Sequence, residues 1–263
     1  MAPPKPMSEF EKRLGASLRQ LRRARWRASS PHPVLAEALG RWSHAPSDIR
    51  DHLGTLFAET VGAAPRLIVE LGTRGAVSTR ALLAAAEVTG AVVLSVDIAD
   101  CSQIDMAERF RARWTFALAD DIAFAGAPFE AFCAARGLPP QAEAIFIDTS
   151  HTYAHTRQEL ACWLPRMAPG GVMMFHDTNM GDGWYRRLDG IVSRGWDNER
   201  GVIRAIEERL GRSWDERSFF VDVTDGFLVR HVPWSSGFTV LRRLGSEPAA
   251  AADERPQSGE AAG

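Results

Sequence analysis

Two short apolar runs constrain this chain most: Ala144-Ile-Phe-Ile-Asp148 and Gly171-Val-Met-Met-Phe-His176-Asp177. Each ends abruptly in acid or imidazole groups. Runs of this length, bounded by glycine or polar residues, read as buried strands of a parallel sheet. An amphipathic stretch from His155 to Met167 and a Pro169-Gly170-Gly171 turn separate them. The unit is strand–helix–strand, which places both strand ends on one rim of the sheet. Ligands of open α/β sheets sit beyond that rim. Asp148, His151, His176 and Asp177 are therefore expected to converge, as a hard-cation site or an acid/base site.

The same alternation extends on both sides. Apolar strand patterns at 66–70, 91–97 and 114–119 alternate with helical patterns at 78–87, 106–113 and 128–136. With the 144–177 unit they make five β/α alternations, which predicts a doubly wound parallel sheet of Rossmann-like class. Pro46-Ser47-Asp48 caps a helix over 49–61, so the main domain is set at 46–244. After Asp177, residues 178–200 are rich in Gly, Asp and Arg and carry Trp184, Tyr185 and Trp196. A segment this long beside a strand-end site reads as a lid or substrate loop, with Asp182 and Asp189 as solvated loop acids. Residues 201–210 are helical. The stretches 219–223, 227–232 and 238–242 predict a C-terminal antiparallel hairpin, with turns at Asp225-Gly226 and Ser235-Ser236-Gly237.

Residues 1–45 read as an N-terminal helical extension. Phe10, Leu14, Leu18 and Leu21 recur at helical period, and Arg13, Arg19, Arg22, Arg23 and Arg25 crowd the opposite face. The plain reading is a helix packed on the main domain with a solvated Arg face. The other is a membrane- or partner-binding helix, and the extension offers a route to a homo-oligomer. Residues 245–263 lack aromatics and read as a disordered tail.

Composition removes several classes. A formal net charge of −2 argues against a nucleic-acid binder. No apolar run approaches the roughly 20 residues of a membrane span, and the N-terminus lacks a signal-peptide core. Three scattered cysteines, Cys101, Cys133 and Cys162, read as reduced packing residues of a cytoplasmic protein.

The run Glu70-Leu-Gly72-Thr73-Arg-Gly75-Ala-Val-Ser78-Thr79 follows the first strand and opens a helix. Glycines there let backbone approach a ligand, and the helix N-terminus favours an anionic group. It has neither the G-x-G-x-x-G order of dinucleotide folds nor the lysine of a phosphate-cradling loop. The second strand ends in Asp97, where an acid can accept hydrogen bonds from both ribose hydroxyls. The third ends in Asp120-Asp121, where an acid can meet an adenine amino group.

Taken in order, E-L-G-x-x-G, D, D-D, F-I-D, P-G-G-V and H-D resemble a class I S-adenosylmethionine-dependent methyltransferase. Asp148-x-x-His151 and His176-Asp177 resemble more narrowly the metal-dependent O-methyltransferases of antibiotic and sugar tailoring, with their cephalosporin-hydroxylase-like relatives. Ser47-Asp-Ile-Arg-Asp-His-Leu53 and Gly237-Phe-Thr-Val-Leu241 fit the same group, so the resemblance covers about residues 46–243. It implies that Glu70, Gly72 and Gly75, with Thr73 in the turn and Ser78 or Thr79, hold the methionine part of the cofactor. Asp97 would take the ribose and Asp120 or Asp121 the adenine edge. Asp148 and Asp177 would hold Mg²⁺, and His151 would be the general base. Many metal-dependent relatives carry an acid where this chain has His176, and imidazole is a poorer Mg²⁺ ligand than carboxylate. His176 therefore stands open as ligand, base or structural histidine. His155, one turn beyond His151, reads as a surface residue.

The implied function is O-methyl transfer to a hydroxyl of a small molecule, a secondary metabolite, sugar or phenol. An unperturbed imidazole base would give a rate that falls as pH drops through roughly 6–7. The alternative is a methyltransferase-fold protein with a non-methylating role, such as a cyclase, a hydroxylase component or a binding partner.

Overall fold

The computed structural model describes residues 48–181, 184–186, 192–195 and 197–245. The expectations for residues 1–45, for Asp182, Asp189 and Trp196, and for the tail past Gly245 lie outside the described residues. For Trp184 and Tyr185 only the backbone is described.

A helical turn, Asp48–His52, runs into helix α1, Leu53–Gly62. Then β1 (Leu67–Leu71), α2 (Val77–Thr89), β2 (Val92–Asp97), α3 (Glu108–Arg111) and β3 (Trp114–Leu118) follow. Next come α4 (Asp121–Phe124), α5 (Ala127–Ala134), β4 (Ala142–Ile147), α6 (Tyr153–Trp163) and β5 (Met167–His176). A short ribbon of β6 (Trp184–Arg186) and β7 (Val192–Arg194) occupies the segment read as a lid. The chain continues through α7 (Gly201–Leu210), β8 (Phe220–Thr224), β9 (Phe227–Val232) and β10 (Phe238–Arg243).

The main sheet has the order β3-β2-β1-β4-β5-β10-β9-β8. Its first five strands are parallel and the last three antiparallel. This is the Rossmann-like methyltransferase architecture, with C-terminal antiparallel strands in place of a single hairpin. The turn between β8 and β9 is closed by Asp225 (φ 48°) and Gly226 (φ 76°), the paired positive φ angles of a tight hairpin turn.

The parallel strands bury both faces. Residues of opposite parity feed two separate cores, because side chains alternate across a strand. Ile68, Val93, Ala144, Phe146, Val172 and Met174 pack under α1 and α2. Val69, Leu94, Val96, Ile145, Met173 and Phe175 pack under α5, α6 and α7. Burying one such side chain contributes about 1.5–3 kcal/mol.

Two details differ from the sequence reading. Strand β5 runs through Pro169-Gly170-Gly171 rather than starting after a turn. A shift in its register with β4 between Ala142 and Ala144 accommodates the extra residues. Asp121 also opens a one-turn helix, α4, too short to show a period in the sequence.

The strand order reverses between β1 and β4: β2 and β3 lie on one side of β1, β4 and β5 on the other. Such a switch point leaves a crevice beyond the carboxyl ends of the two strands. Gly72 and Asp148 are the residues that leave the sheet there.

Candidate active site

The Gly72 turn and Asp148 are in direct contact. Asp148 donates its N–H to Leu71 O at 2.9 Å, and Gly72 donates to Val96 O at 2.9 Å. Gly72 has φ +88°, and a Cβ there would lie 2.1 Å from Asp148 O. Only glycine fits, both for its dihedral and for its approach to β4. Gly75 is different: a Cβ there meets nothing within 4 Å. The left-handed residues beside it are Arg74 (φ 44°) and Ala76 (φ 55°). Arg80, which the sequence reading passed over, secures this turn. Its guanidinium donates to Ala76 O at 2.7 Å, Gly75 O at 3.2 Å and Asp105 O at 3.0 Å.

Glu70 is fully buried beneath the turn. It accepts from Ser78 Oγ (2.6 Å), Thr79 Oγ1 (2.7 Å) and Ser95 Oγ (2.6 Å). Burial pushes its carboxyl up to about 7, against the lowering effect of the three hydroxyls. Glu70, Ser78 and Thr79 thus bind one another and shape the turn from below. The side chains expected to hold the methionine part of a cofactor are bonded to one another, and Arg74 and Gly75 are the exposed residues of the turn. Thr73 Oγ1 is buried without a hydrogen-bond partner among the described residues.

Asp97 Oδ2 accepts from Thr73 N (2.7 Å) and Arg74 N (3.0 Å), and Oδ1 accepts from Ala99 N (2.8 Å). A carboxylate has about four acceptor positions, so Asp97 retains room for one ribose hydroxyl rather than two. The two acids after β3 separate. Asp120 is exposed and caps α4, accepting from Ala123 N at 2.9 Å. Asp121 is buried and turns to His155. Of the pair, only Asp120 faces solvent where an adenine edge could meet it. Two apolar side chains beside these acids are exposed, Ile98 at 78% and Leu118 at 60%. Sequence reading did not single them out.

Asp148, His151, His176 and Asp177 do come together. His151 lies between the carboxylates: Nε2 is 3.0 Å from Asp148 Oδ1 and Nδ1 is 3.0 Å from Asp177 Oδ2. Carboxylates only accept, so both ring nitrogens donate and the ring is an imidazolium. His176 Nδ1 lies 3.2 Å from Asp148 Oδ1 and 3.3 Å from Asp177 Oδ1, and its Nε2 is buried without a hydrogen-bond partner among the described residues.

Burial works to lower the His151 pKa, but the bonds to Asp148 and Asp177 outweigh it and raise the ring to about 9. His176 is also held well above its ordinary value, because attraction to Asp177 and Asp148 overcomes burial. Both carboxyls go the other way. Burial would raise them, but His176 above all, and then His151, pull them below the usual range. The expectation of a near-neutral base thus fails for the four groups by themselves. His151 is an acid at neutral pH, because it is held between two carboxylates.

His151 (φ 57°) and Asp177 (φ 56°) both adopt left-handed backbone conformations. Strain of this kind, about 1–3 kcal/mol each, persists where surrounding contacts over-determine it. Asn198 supplies such contacts. Its Nδ2 donates to His151 O (3.3 Å) and to Asp177 O (3.2 Å). Gly201, at the start of α7, approaches so closely that a Cβ would lie 2.7 Å from His151 O.

On the other side, His52 is buried against the site. Its ring stacks on Phe238 at 5.0 Å and meets His176 edge-on at 5.7 Å. Its Nε2 donates to Trp234 O at 3.0 Å. Burial and the nearby His176 lower its pKa to about 4, so it stays neutral. His52 falls within the stretch Ser47–Leu53 that carried part of the resemblance. Nothing in the sequence pointed to Asn198.

Comparisons with known proteins bear on the fold that carries this site. A family model described as a methyltransferase domain matches residues 69–178, from β1 to just past Asp177. The O-methyltransferase TomG from Streptomyces achromogenes, in complex with SAM, is similar in structure. It shows a TM-score of 0.53 at 14% identity over 91% of this chain and 100% of that one. A methyltransferase from Podospora anserina bound to SAH gives 0.51 at 13% identity, over 92% and 99%. MycE of the mycinamycin biosynthetic pathway, in complex with Mg, SAH and mycinamycin VI, gives 0.51 at 16% identity. There the match spans 83% of this chain but 55% of that one. No curated protein matches the chain in sequence. No described helix is long and apolar enough to cross a membrane. The family model over residues 69–178 and the shared architecture show that the chain is similar to a methyltransferase domain there and has the fold of these proteins.

Proposed function

We propose that this protein transfers the methyl group of S-adenosylmethionine to a hydroxyl of a small molecule, a secondary metabolite, sugar or phenol. We propose further that a divalent ion assists and that His151 is the general base. One observation carries the reading: the Asp148–His151–Asp177 junction stands at the switch point and touches the Gly72 turn.

The residues fit both groups. For the cofactor they offer a cradle that a Cβ at Gly72 would fill, a buried unpartnered hydroxyl on Thr73, spare acceptor capacity on Asp97, and exposed Ile98 and Leu118 for an apolar ring face. For the ion, a carboxylate oxygen of Asp148 and one of Asp177 lie within 4.8 Å of each other beside the His151 ring, and Asp177 Oδ1, 3.3 Å from His176 Nδ1, accepts no well-aligned hydrogen bond among the described residues. Hard carboxylate oxygens suit Mg²⁺ or Mn²⁺, and an imidazole favours Mn²⁺ of the two. When bound, the cofactor supplies an electrophilic methyl and the ion supplies positive charge that makes an acceptor hydroxyl more acidic.

The chain's own residues then have distinct tasks. Asp148 and Asp177 hold positive charge at the rim. A cation held there would lower His151 from about 9 towards neutrality, and its ring nitrogen could then take the hydroxyl proton. Asn198 and Gly201 fix the backbone that aims His151, and Glu70 fixes the turn opposite. Most of the remaining rate gain comes from alignment of acceptor and methyl.

Calorimetric titration with S-adenosylmethionine, with and without Mg²⁺, tests the reading. Micromolar binding supports it. No binding under either condition would favour a methyltransferase fold that does not methylate.

A further inference from the structure

A second group of ligating side chains lies outside this site. It joins the end of β3 to the middle of α6. Asp121 and Glu159 are buried, Glu159 completely, and His155 is only partly exposed. His155 Nε2 lies 3.0 Å from Asp121 Oδ1 and 3.6 Å from Glu159 Oε1. One ligand atom from each of the three lies within 4.8 Å of the others. We propose that Asp121, His155 and Glu159 bind a divalent cation of the Mn²⁺ or Zn²⁺ type, which staples α6 to the β3 end.

Three observations carry this. First, a single Nε2–H can donate to only one carboxylate, yet it faces two. Second, Asp121 Oδ2 and Glu159 Oε2 are both buried and receive no hydrogen bond from a donor among the described residues, the two carboxyls facing each other, although Thr149 Oγ1 donates to Glu159 Oε1 at 2.5 Å. Buried carboxylate oxygens without donors are costly, about 1–3 kcal/mol each or more. Third, the spacing suits a common ion. Donors about 2.1 Å from one metal stand about 3.0 Å apart at a right angle and about 3.4 Å apart at a tetrahedral angle. One imidazole with two carboxylates selects a borderline transition metal over Mg²⁺ or Ca²⁺. Burial, followed by the closeness of Asp121, pushes the Glu159 carboxyl up to about 7 even with the Thr149 bond, the mark of a place short of positive charge.

The cation would also have a structural consequence. Asp120, the exposed acid next to the adenine position, sits directly before Asp121. A metal on Asp121 would therefore hold that wall of the cofactor crevice to α6.

The test uses full-length protein stripped with chelator and titrated with Mn²⁺, with bound ion counted by electron paramagnetic resonance. The Asp148→Asn/Asp177→Asn double variant removes the rim site from the count. It should retain one Mn²⁺ per chain, with spin-echo coupling to a single imidazole nitrogen. Adding His155→Ala or Glu159→Gln to it should abolish that binding and the accompanying rise in unfolding temperature. A double variant that binds no Mn²⁺, or binding unaffected by His155→Ala, would overturn the proposal. Neither result would bear on the rim site, which is scored by the ion that the wild type binds in addition.

Discussion

Raising the pH of the metal-free protein should weaken it by discharging His151, and the size follows from the geometry. His151 is clamped between Asp148 and Asp177, with about 9 as its folded value against 6.5 for a free imidazole. A difference of that size corresponds to about 3 kcal/mol of stability. The sign follows from the raised value. The contribution is complete below the unfolded value of 6.5 and is lost as pH rises through about 9. His176, also raised, contributes with the same sign. Glu70 adds a decline of similar size lower on the scale, complete by about pH 7 and shared by wild type and variant, because its carboxyl is raised to about 7 from 4.5. Urea unfolding of chelator-treated protein, from pH 6 to 10, measures the profile for wild type and His151→Gln. The wild type should lose about 3 kcal/mol more than the variant across that range, with most of the loss between pH 7 and 9.5. Parallel profiles would refute the reasoning and show that His151 is not held as a cation.

Other consequences concern single contacts. Asp97→Ala should weaken S-adenosylmethionine binding by about 1.5–3 kcal/mol by calorimetry; unchanged affinity would remove Asp97 from the cofactor site. Gly72→Ala should destabilise the fold by about 1–2 kcal/mol for the left-handed conformation and about 1–3 kcal/mol for displacing Asp148, read as a fall in the denaturation midpoint. A wild-type midpoint would mean that the turn and β4 do not touch. Asn198→Ala leaves His151 O and Asp177 O without their side-chain donor and should cost about 1–3 kcal/mol, with a drop in turnover. A change within about 0.5 kcal/mol, the range of neutral surface substitutions, would mean that Asn198 does not hold the rim.

The sheet was legible because its strands are buried on both faces and so appear as unbroken apolar runs. The runs ending at Asp97, Asp148 and Asp177 placed those acids at strand ends without reference to any partner. What could not be read was how each side chain turns. Asp120 and Asp121 are neighbours in sequence, yet one caps a helix in solvent and the other is buried on His155, because α4 begins between them. His155 looked like a surface residue because Asp121 reaches it only through tertiary folding, although Glu159 stands four residues on along the same helix. Glu70 looked like a ligand because its three hydroxyl partners come from two other elements. Asn198 and His52 reach the rim from outside the β/α repeat, where no periodicity marks them.

The central claim is that the Asp148–Asp177 rim supports methyl transfer with a divalent ion. The most direct test is transfer of label from methyl-labelled S-adenosylmethionine to a panel of sugar, phenol and polyketide hydroxyls, by wild type and by Asp148→Asn and Asp177→Asn. Wild type should label at least one acceptor, lose that activity in EDTA and recover it with added Mg²⁺ or Mn²⁺. Both variants should stay folded, bind the cofactor and fail to transfer under every condition. Full activity in EDTA, or wild-type transfer by either variant, would contradict the account.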